Sequence, residues 1–304
     1  MTIIHLPTIK QLQYLVALED HGHFGRAAQA SFVTQSTLSA GIRELEAALD
    51  ASLVERTRRV VRFTPLGIAI AAKARRLLSD AEELAQLAHA ESKPLTGDLH
   101  MGVIPTIAPF LLPRVLPGLR TSFPKLRLFL REEPSAAICD ALHKGQVDCV
   151  LLALPWNCGD IDSRVLFEDR FFVAAHRDDL PGARESVAAG QIDADRLLLL
   201  EDGHCLKEHA LAACRRPEFR SQASVIGTSL HTLVQMVDNR LGLTLVPQMA
   251  LDADLLAGTD VVAKPLEGKT SVRDIALVWR RASPRGEEFD MLAKALIDGR
   301  RTGE

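Results

Sequence analysis

The apolar pattern changes character once along this 304-residue chain, near residues 94–97, and that change confines it to two dissimilar parts. Before it, apolar residues recur with a helical period; after it, short apolar runs alternate with helical stretches. In the first part Leu12, Leu15, Val16 and Leu18 form one face of a helix ending near His21-Gly22. A short alanine-rich helix over 24–30 follows, and Thr34 is placed to cap a third over 34–48. Two helices joined by a short turn, the second opening on small polar side chains, make a helix-turn-helix pattern. Residues 53–64 then mix β-branched residues and arginines around a turn, as a small β-wing does. From Pro65 to about residue 92 a long helix is expected, since Pro65 suits a first turn. Along it Ile70, Ala74, Leu77, Ala81, Leu84 and Ala88 recur at spacings of 4, 3, 4, 3 and 4. Such a heptad-like seam either seeks a partner helix or packs on its own body.

The second part places strands near 99–104, 126–130, 147–154, 197–200, 224–226, 243–246 and 275–279, with helices between several of them. This alternation argues for an open, mostly parallel α/β sheet. Ligands of such sheets bind at the carboxyl ends of the strands. Pro105-Thr106 and Gly203-His204-Cys205 both stand at such ends.

Cys205 follows the turn-forming Asp202-Gly203 and opens a helical run. Free backbone N–H groups and the positive dipole end there favour negative charge, and His204 and Lys207 flank the thiol, so a lowered thiol pKa is expected. Cys214 lies nine positions on. On one continuous helix the two Cα atoms would be roughly 13 Å apart, whereas a disulfide needs them within about 7 Å. Either the pair never bonds, or bonding unwinds the helix; burial as two small apolar side chains is the other fate open to both. Cys139, Cys149 and Cys158 show no paired spacing.

With a net charge of −3 the chain has no global basic field, so any nucleic-acid site must be local. The 34–48 helix is the candidate reader. Thr34, Gln35, Ser36, Thr37 and Ser39 offer short hydrogen-bonding groups near its N-terminus, and Arg43 can reach a guanine edge or a phosphate. Arg56, Arg58, Arg59 and Arg62 in the wing make a cationic patch suited to the DNA backbone. For a thiolate attacking a peroxide, donors must neutralise the leaving oxygen. Thr106, His204, Arg273 and Ser135 are candidates, although Thr106 as a helix cap and Arg273 as a surface charge are the plainer readings. There is no glycine-rich phosphate loop and no metalloprotease or nucleophile-elbow motif, so no cofactor and no metal are expected. The N-terminus lacks a secretory pattern and no apolar stretch is long enough to span a bilayer. The expected compartment is the cytoplasm, where a disulfide is transient.

The first part resembles the LysR-type transcriptional regulators. The resemblance rests on Gly25-Arg26-Ala27-Ala28, Thr34-Gln35-Ser36-Thr37-Leu38-Ser39, Ile42-Arg43-Glu44-Leu45-Glu46, Leu53-Val54-Glu55-Arg56 and Phe63-Thr64-Pro65-Leu66-Gly67. A second set is similar to the hydrogen-peroxide-sensing members of that family. It comprises residues 102–113, Leu200-Glu201-Asp202-Gly203-His204-Cys205-Leu206, and Cys214 at the matching distance. The resemblance implies a winged helix-turn-helix over 1–64 and a linker dimerisation helix over 65–94. It further implies a periplasmic-binding-protein-like regulatory domain over 95–304, built of two α/β subdomains, the second roughly 168–268.

The resemblance also implies roles: Cys205 as the peroxide-reactive thiol, Cys214 as the resolving thiol, and Thr106, His204 and Arg273 in the peroxide pocket. Oxidation of Cys205 to a sulfenic acid and a disulfide with Cys214 would refold the regulatory domain and alter operator binding, controlling antioxidant genes. The implied partners are double-stranded operator DNA, hydrogen peroxide, RNA polymerase and three further copies of the chain, a dimer of dimers held through the linker helix and regulatory domain. No enzyme activity and no membrane are implied. Ser135 stands where a threonine is expected, Glu208 where an aspartate is, and Ser36 where a proline is frequent, which leaves the cap of the reading helix open. Cys149 has a counterpart without a redox role. A regulator gated by a small metabolite, and a thiol peroxidase, are the alternative readings.

Overall fold

The computed structural model describes all residues except 1–5, 57–60, 90–93, 180–184, 215–225, 228, 269–270, 282 and 303–304. Two compact units emerge, built mainly from residues 1–92 and 93–304.

The first unit contains α1 (Ile9–His21), α2 (Phe24–Ala30), α3 (Gln35–Leu49), β1 (Val54–Arg56), β2 (Val61–Phe63) and α4 (Pro65–His89). Its helix ends are written into the sequence. Thr8 and Gln11 form a reciprocal capping box on α1, and Gly22 closes it in the left-handed region at φ 59°. His23 then caps α2, its Nδ1 accepting from the Gly25 N–H at 3.0 Å, so His21-Gly22-His23 is a helix junction. Thr34 Oγ1 accepts the Thr37 N–H at 3.2 Å and bonds the Ser36 hydroxyl at 2.8 Å, which settles the cap of α3. A Cβ at Gly41 would stand 2.6 Å from the Tyr14 ring, so α3 crosses α1 closely only with glycine there. Glu46 Oε1 accepts the N–H groups of Leu53 and Val54 at 2.8 and 3.1 Å and pins the root of the antiparallel β1–β2 wing.

The seam on α4 divides. Ala74 is buried in the core of the helix-turn-helix, and Arg75 pairs with Glu19 and Asp20 of α1, both at 2.7 Å. Leu77 on the same seam is 53% exposed, and Leu66 and Ile68 in the first turn of α4 are exposed to similar degrees. The side chains of Leu84 and Ala88 lie outside the described residues.

The second unit comprises β3 (Gly97–Val103), α5 (Ala108–Ser122), β4 (Leu126–Glu132), α6 (Ser135–His143), β5 (Cys149–Leu154), β6 (Ile161–His176), β7 (Val187–Ala188) and β8 (Leu199–Leu200). It continues with α7 (Cys205–Ala213), β9 (Ile226–Gly227), α8 (Leu230–Asp238), β10 (Leu243–Pro247), α9 (Gln248–Leu251), β11 (Val261–Glu267), β12 (Val272–Arg280) and α10 (Gly286–Thr302). One sheet runs in the order β4-β3-β5-β12-β6-β11-β7, with β10 also paired to β6, while β8 and β9 form a separate parallel pair.

The expectation of a mostly parallel sheet is corrected here. β4, β3 and β5 are parallel, but β12 is antiparallel to both β5 and β6, and β10 and β11 are antiparallel to β6. The cause is β6, whose 16 residues pair with β12 along residues 161–170 and with β10 and β11 along 171–176. One strand thus serves three ladders. On the far edge β4 leaves Phe129 and Leu130 exposed, and with α5 it walls an open cleft lined by Pro113, Leu116, Pro117, Phe123 and Leu128.

Candidate functional site: a buried thiol beside a buried arginine

Gly203, at φ 94°, turns the chain from β8 into α7, and Cys205 is the first residue of that helix. His204 occupies the cap position without a side-chain cap bond. The hydroxyl of Ser135, from the start of α6, accepts the Cys205 N–H at 3.1 Å instead. The Ala136 N–H donates to Gly203 O at 3.2 Å, so α6 and α7 meet end to end through two hydrogen bonds. α7 runs unbroken to Ala213, with Cys214 as its C-cap. Cys205, Cys214 and Cys149 are all buried and none is in a disulfide.

Arg273, on β12 and 1% exposed, is the charge of the site. Its Nε and Nη2 donate to Asp169 Oδ2 at 3.1 and 3.0 Å, its Nη1 to Thr106 Oγ1 at 3.0 Å, and its Nη2 also to Thr106 O at 3.1 Å. Asp169 Oδ1 accepts the Met249 N–H at 3.0 Å. Every limb of this ion pair is hydrogen-bonded, the condition under which a buried pair is tolerated. Arg273 is therefore no surface charge. Thr106 is no helix cap either: α5 is capped at Ile107 without a side-chain bond.

The expected low pKa of Cys205 is overturned. Burial pushes its thiol up, and the opposing pull of Arg273, of the Ser135 hydroxyl and of a backbone bond at Ala153 does not outweigh it. Lys207, counted on as a neighbouring cation, turns away to Asp202 at 2.7 Å. His204, 3% exposed, lies 3.7 Å from Glu201, and desolvation lowers its pKa, so it is neutral at pH 7. The docked Cys205 is a protonated thiol, not a resting thiolate.

Two residues of the site were not legible in the sequence. Asp169 sits in the β6 stretch that did not read as a strand. His209 lies one turn beyond Cys205 on the same helix face; its Nε2 bonds Pro155 O at 2.8 Å, and its buried Nδ1 has no partner among the described residues. The cysteine expectation also needs correcting. Cys139 and Cys158 form a disulfide with S–S 2.06 Å and Cα–Cα 5.4 Å, because α6 packs beside the loop after β5. Burial pushes the Cys149 thiol far up, which leaves it inert.

In the first unit Gln35, Ser36, Thr37 and Arg43 are exposed on α3 and Ser39 is half-buried, while Arg62 is exposed on β2. Arg58, Arg59 and the side chain of Arg56 lie outside the described residues.

A helix-turn-helix with a wing, followed by a long helix and a mixed-sheet α/β unit, defines a class of bacterial regulators. Residues 9–68 match the family described as "Bacterial regulatory helix-turn-helix protein, lysR family", and residues 92–300 match "LysR substrate binding domain". The chain belongs to the LysR family. Among relatives, it is 43% identical over 295 residues to the HTH-type transcriptional regulator EstR of Acinetobacter baylyi, covering 96% of each chain. It is 37% identical over 288 residues to the DNA-binding transcriptional dual regulator OxyR of Escherichia coli, covering 95% of this chain and 94% of that one. Among solved structures, a full-length OxyR of Pseudomonas aeruginosa with a cysteine-to-aspartate substitution matches at TM-score 0.80 and 32% identity, covering 96% of this chain and 95% of that one. A hydrogen-peroxide-bound cysteine-to-serine mutant of Corynebacterium glutamicum OxyR matches at TM-score 0.66 and 30% identity, covering 99% and 94%.

Proposed function

We infer that the chain is a hydrogen-peroxide-responsive transcriptional regulator, with Cys205 as the reacting thiol and Cys214 as its resolving partner. The observation that carries this reading is a thiol at the first residue of a helix, bonded through its N–H to Ser135 and lying in the field of the fully paired Arg273. Cys205 attacks one peroxide oxygen; the O–O bond breaks, the thiol proton leaves with the other oxygen as water, and a sulfenic acid forms. Cys214 then attacks that sulfur, expels a second water, and closes a disulfide. Arg273 supplies the fixed positive charge and Thr106 and Asp169 hold it; Ser135 and His204 shape the pocket. Closing the bond requires α7 to unwind, since its ends are separated by the length of a nine-residue helix.

Residues 1–64 act as the DNA-binding head, 65–94 as the dimerisation linker and 95–304 as the sensor, its second subdomain spanning roughly 168–268. Thr34, Gln35, Ser36, Thr37, Ser39 and Arg43 read the operator, while Arg56, Arg58 and Arg59 hold its backbone. The exposed Leu77 on α4 and the apolar cleft between α5 and β4 support assembly into a homotetramer. The assembly works in the cytoplasm with RNA polymerase and consumes peroxide stoichiometrically, not as an enzyme. No described helix is long and apolar enough to cross a membrane.

One equivalent of peroxide followed by non-reducing peptide mapping tests the reading. A Cys205–Cys214 linkage and an altered footprint on the gene's upstream DNA are expected, both abolished by Cys205→Ser. A folded protein without that linkage would sink the reading. A Cys205→Ser variant that still responds in cells would point to a regulator gated by a small metabolite.

A further inference from the structure

Cys139 and Cys158 do more than staple two segments. We propose that they form a second thiol–disulfide site, exchanging electrons with a dithiol reductant, whose state governs how tightly α7 is held and hence how fast the Cys205–Cys214 bond closes.

The argument is a closed ring of contacts. α7 is docked at its first turn on Ser135 of α6, through the Cys205 N–H at 3.1 Å. One turn further it is docked on the loop following β5, through His209 and Pro155 O at 2.8 Å. Four residues past Ser135 on α6 stands Cys139, and three past Pro155 in the loop stands Cys158, and these two are bonded. The two supports of the reactive helix are therefore cross-linked behind it. With the disulfide formed, neither support moves without the other, and α7 faces a rigid seat. With it reduced, the loop and α6 separate independently, and α7 leaves its seat more easily. Since joining Cys205 to Cys214 requires α7 to unwind, the reduced pair speeds that closure and the bonded pair restrains it.

The chemistry balances with one dithiol. A reductant thiolate attacks Cys158 Sγ, breaking the Cys139–Cys158 bond and releasing the Cys139 thiolate, which takes up a proton. The reductant's second thiol attacks the mixed disulfide, frees Cys158 as a thiol and closes the reductant's own disulfide. Two electrons pass to the pair, and the reductant is oxidised. An oxidised dithiol reverses the exchange. Cys158 is the entry point: it is buried itself, but Asn157 and Gly159 on either side are exposed.

The coupling rests on Cys205 as the peroxide-reactive thiol; the redox site itself does not, and the experiment has an arm for each. The full chain carrying Cys205→Ser is equilibrated in buffers of reduced and oxidised dithiothreitol, alkylated and peptide-mapped. Reversible conversion of the linked Cys139–Cys158 peptides to alkylated thiols, with unchanged circular dichroism, is expected. A pair that stays bonded until the protein unfolds, or never bonds, overturns the site. In the second arm, wild-type protein with this pair first reduced or first oxidised is mixed with excess peroxide, and the appearance of the Cys205–Cys214 link is timed. The reduced form, and a Cys139→Ser/Cys158→Ser variant, should close about fivefold faster, the factor one net hydrogen bond makes. Equal rates overturn the coupling. Absence of the Cys205–Cys214 link in every form overturns the peroxide reading and the coupling with it, and leaves the first arm to decide the redox site.

Discussion

A guanidinium with 1% exposure is tolerable only because Asp169 and Thr106 take up its donors. Asp169→Ala would leave that cation buried and unpaired, a change expected to cost about 3–5 kcal/mol in urea unfolding of the full chain. The histidines give a pH signature. Desolvation lowers the pKa of both His204 and His209 below the ordinary value of about 6.5. Between the folded and unfolded pKa values the unfolded chain binds more protons, so stability rises with pH there. It is fully present above about pH 6.5 and is lost as pH falls below that value. His209→Gln keeps a donor for Pro155 O but cannot titrate, and should flatten this acid limb in denaturation midpoints measured across pH. At this scale the sequence spoke unevenly. Cys205 and Thr106 drew attention in the sequence because a thiol and a hydroxyl stand at strand ends, while Ser135 after the second strand and Arg273 near the 275–278 strand entered only as candidate donors. The protonation state of Cys205 was not legible, because burial depends on what packs over α7 from β5, α6 and β12.

Among the elements, α7 depends on a cap borrowed from another helix. Ser135→Ala would leave the buried Cys205 N–H unsatisfied, costing about 1–3 kcal/mol, whereas Ser135→Thr keeps the hydroxyl and should be close to neutral. Thermal unfolding of the two variants side by side checks this. The helices of the first unit were readable from their apolar period and from the end signals at Gly22 and Thr34, whereas the Thr8–Gln11 box on α1 emerged only in the structure. β6 was unreadable because its first ten residues are mostly exposed and polar and its last six mostly buried. It fits neither the alternating nor the continuous apolar pattern, and with it the antiparallel half of the sheet was missed. The Cys139–Cys158 bond was equally hidden, since a spacing of 19 residues means nothing until β5 lies between them.

At the scale of the whole molecule, a net charge of −3 leaves DNA affinity to local cations. Arg43→Ala on α3 should weaken operator binding by about 1–3 kcal/mol if it reads a base. If it contacts a phosphate, the salt slope of binding should drop by about one. Fluorescence anisotropy over a salt series separates the two.

Cys205 is 1% exposed, and that number limits what can reach it. At that burial even a water-sized probe scarcely touches the thiol, so a reagent waits for α7 to lift. The larger the reagent, the further α7 must lift, so hydrogen peroxide needs a smaller opening than bulky hydroperoxides or alkylating agents do. The seat of α7 therefore grades reagents by girth, through how far it must open for each. Thiol counts taken on the native protein with large colorimetric reagents will accordingly read near zero even when Cys149, Cys205 and Cys214 are all reduced.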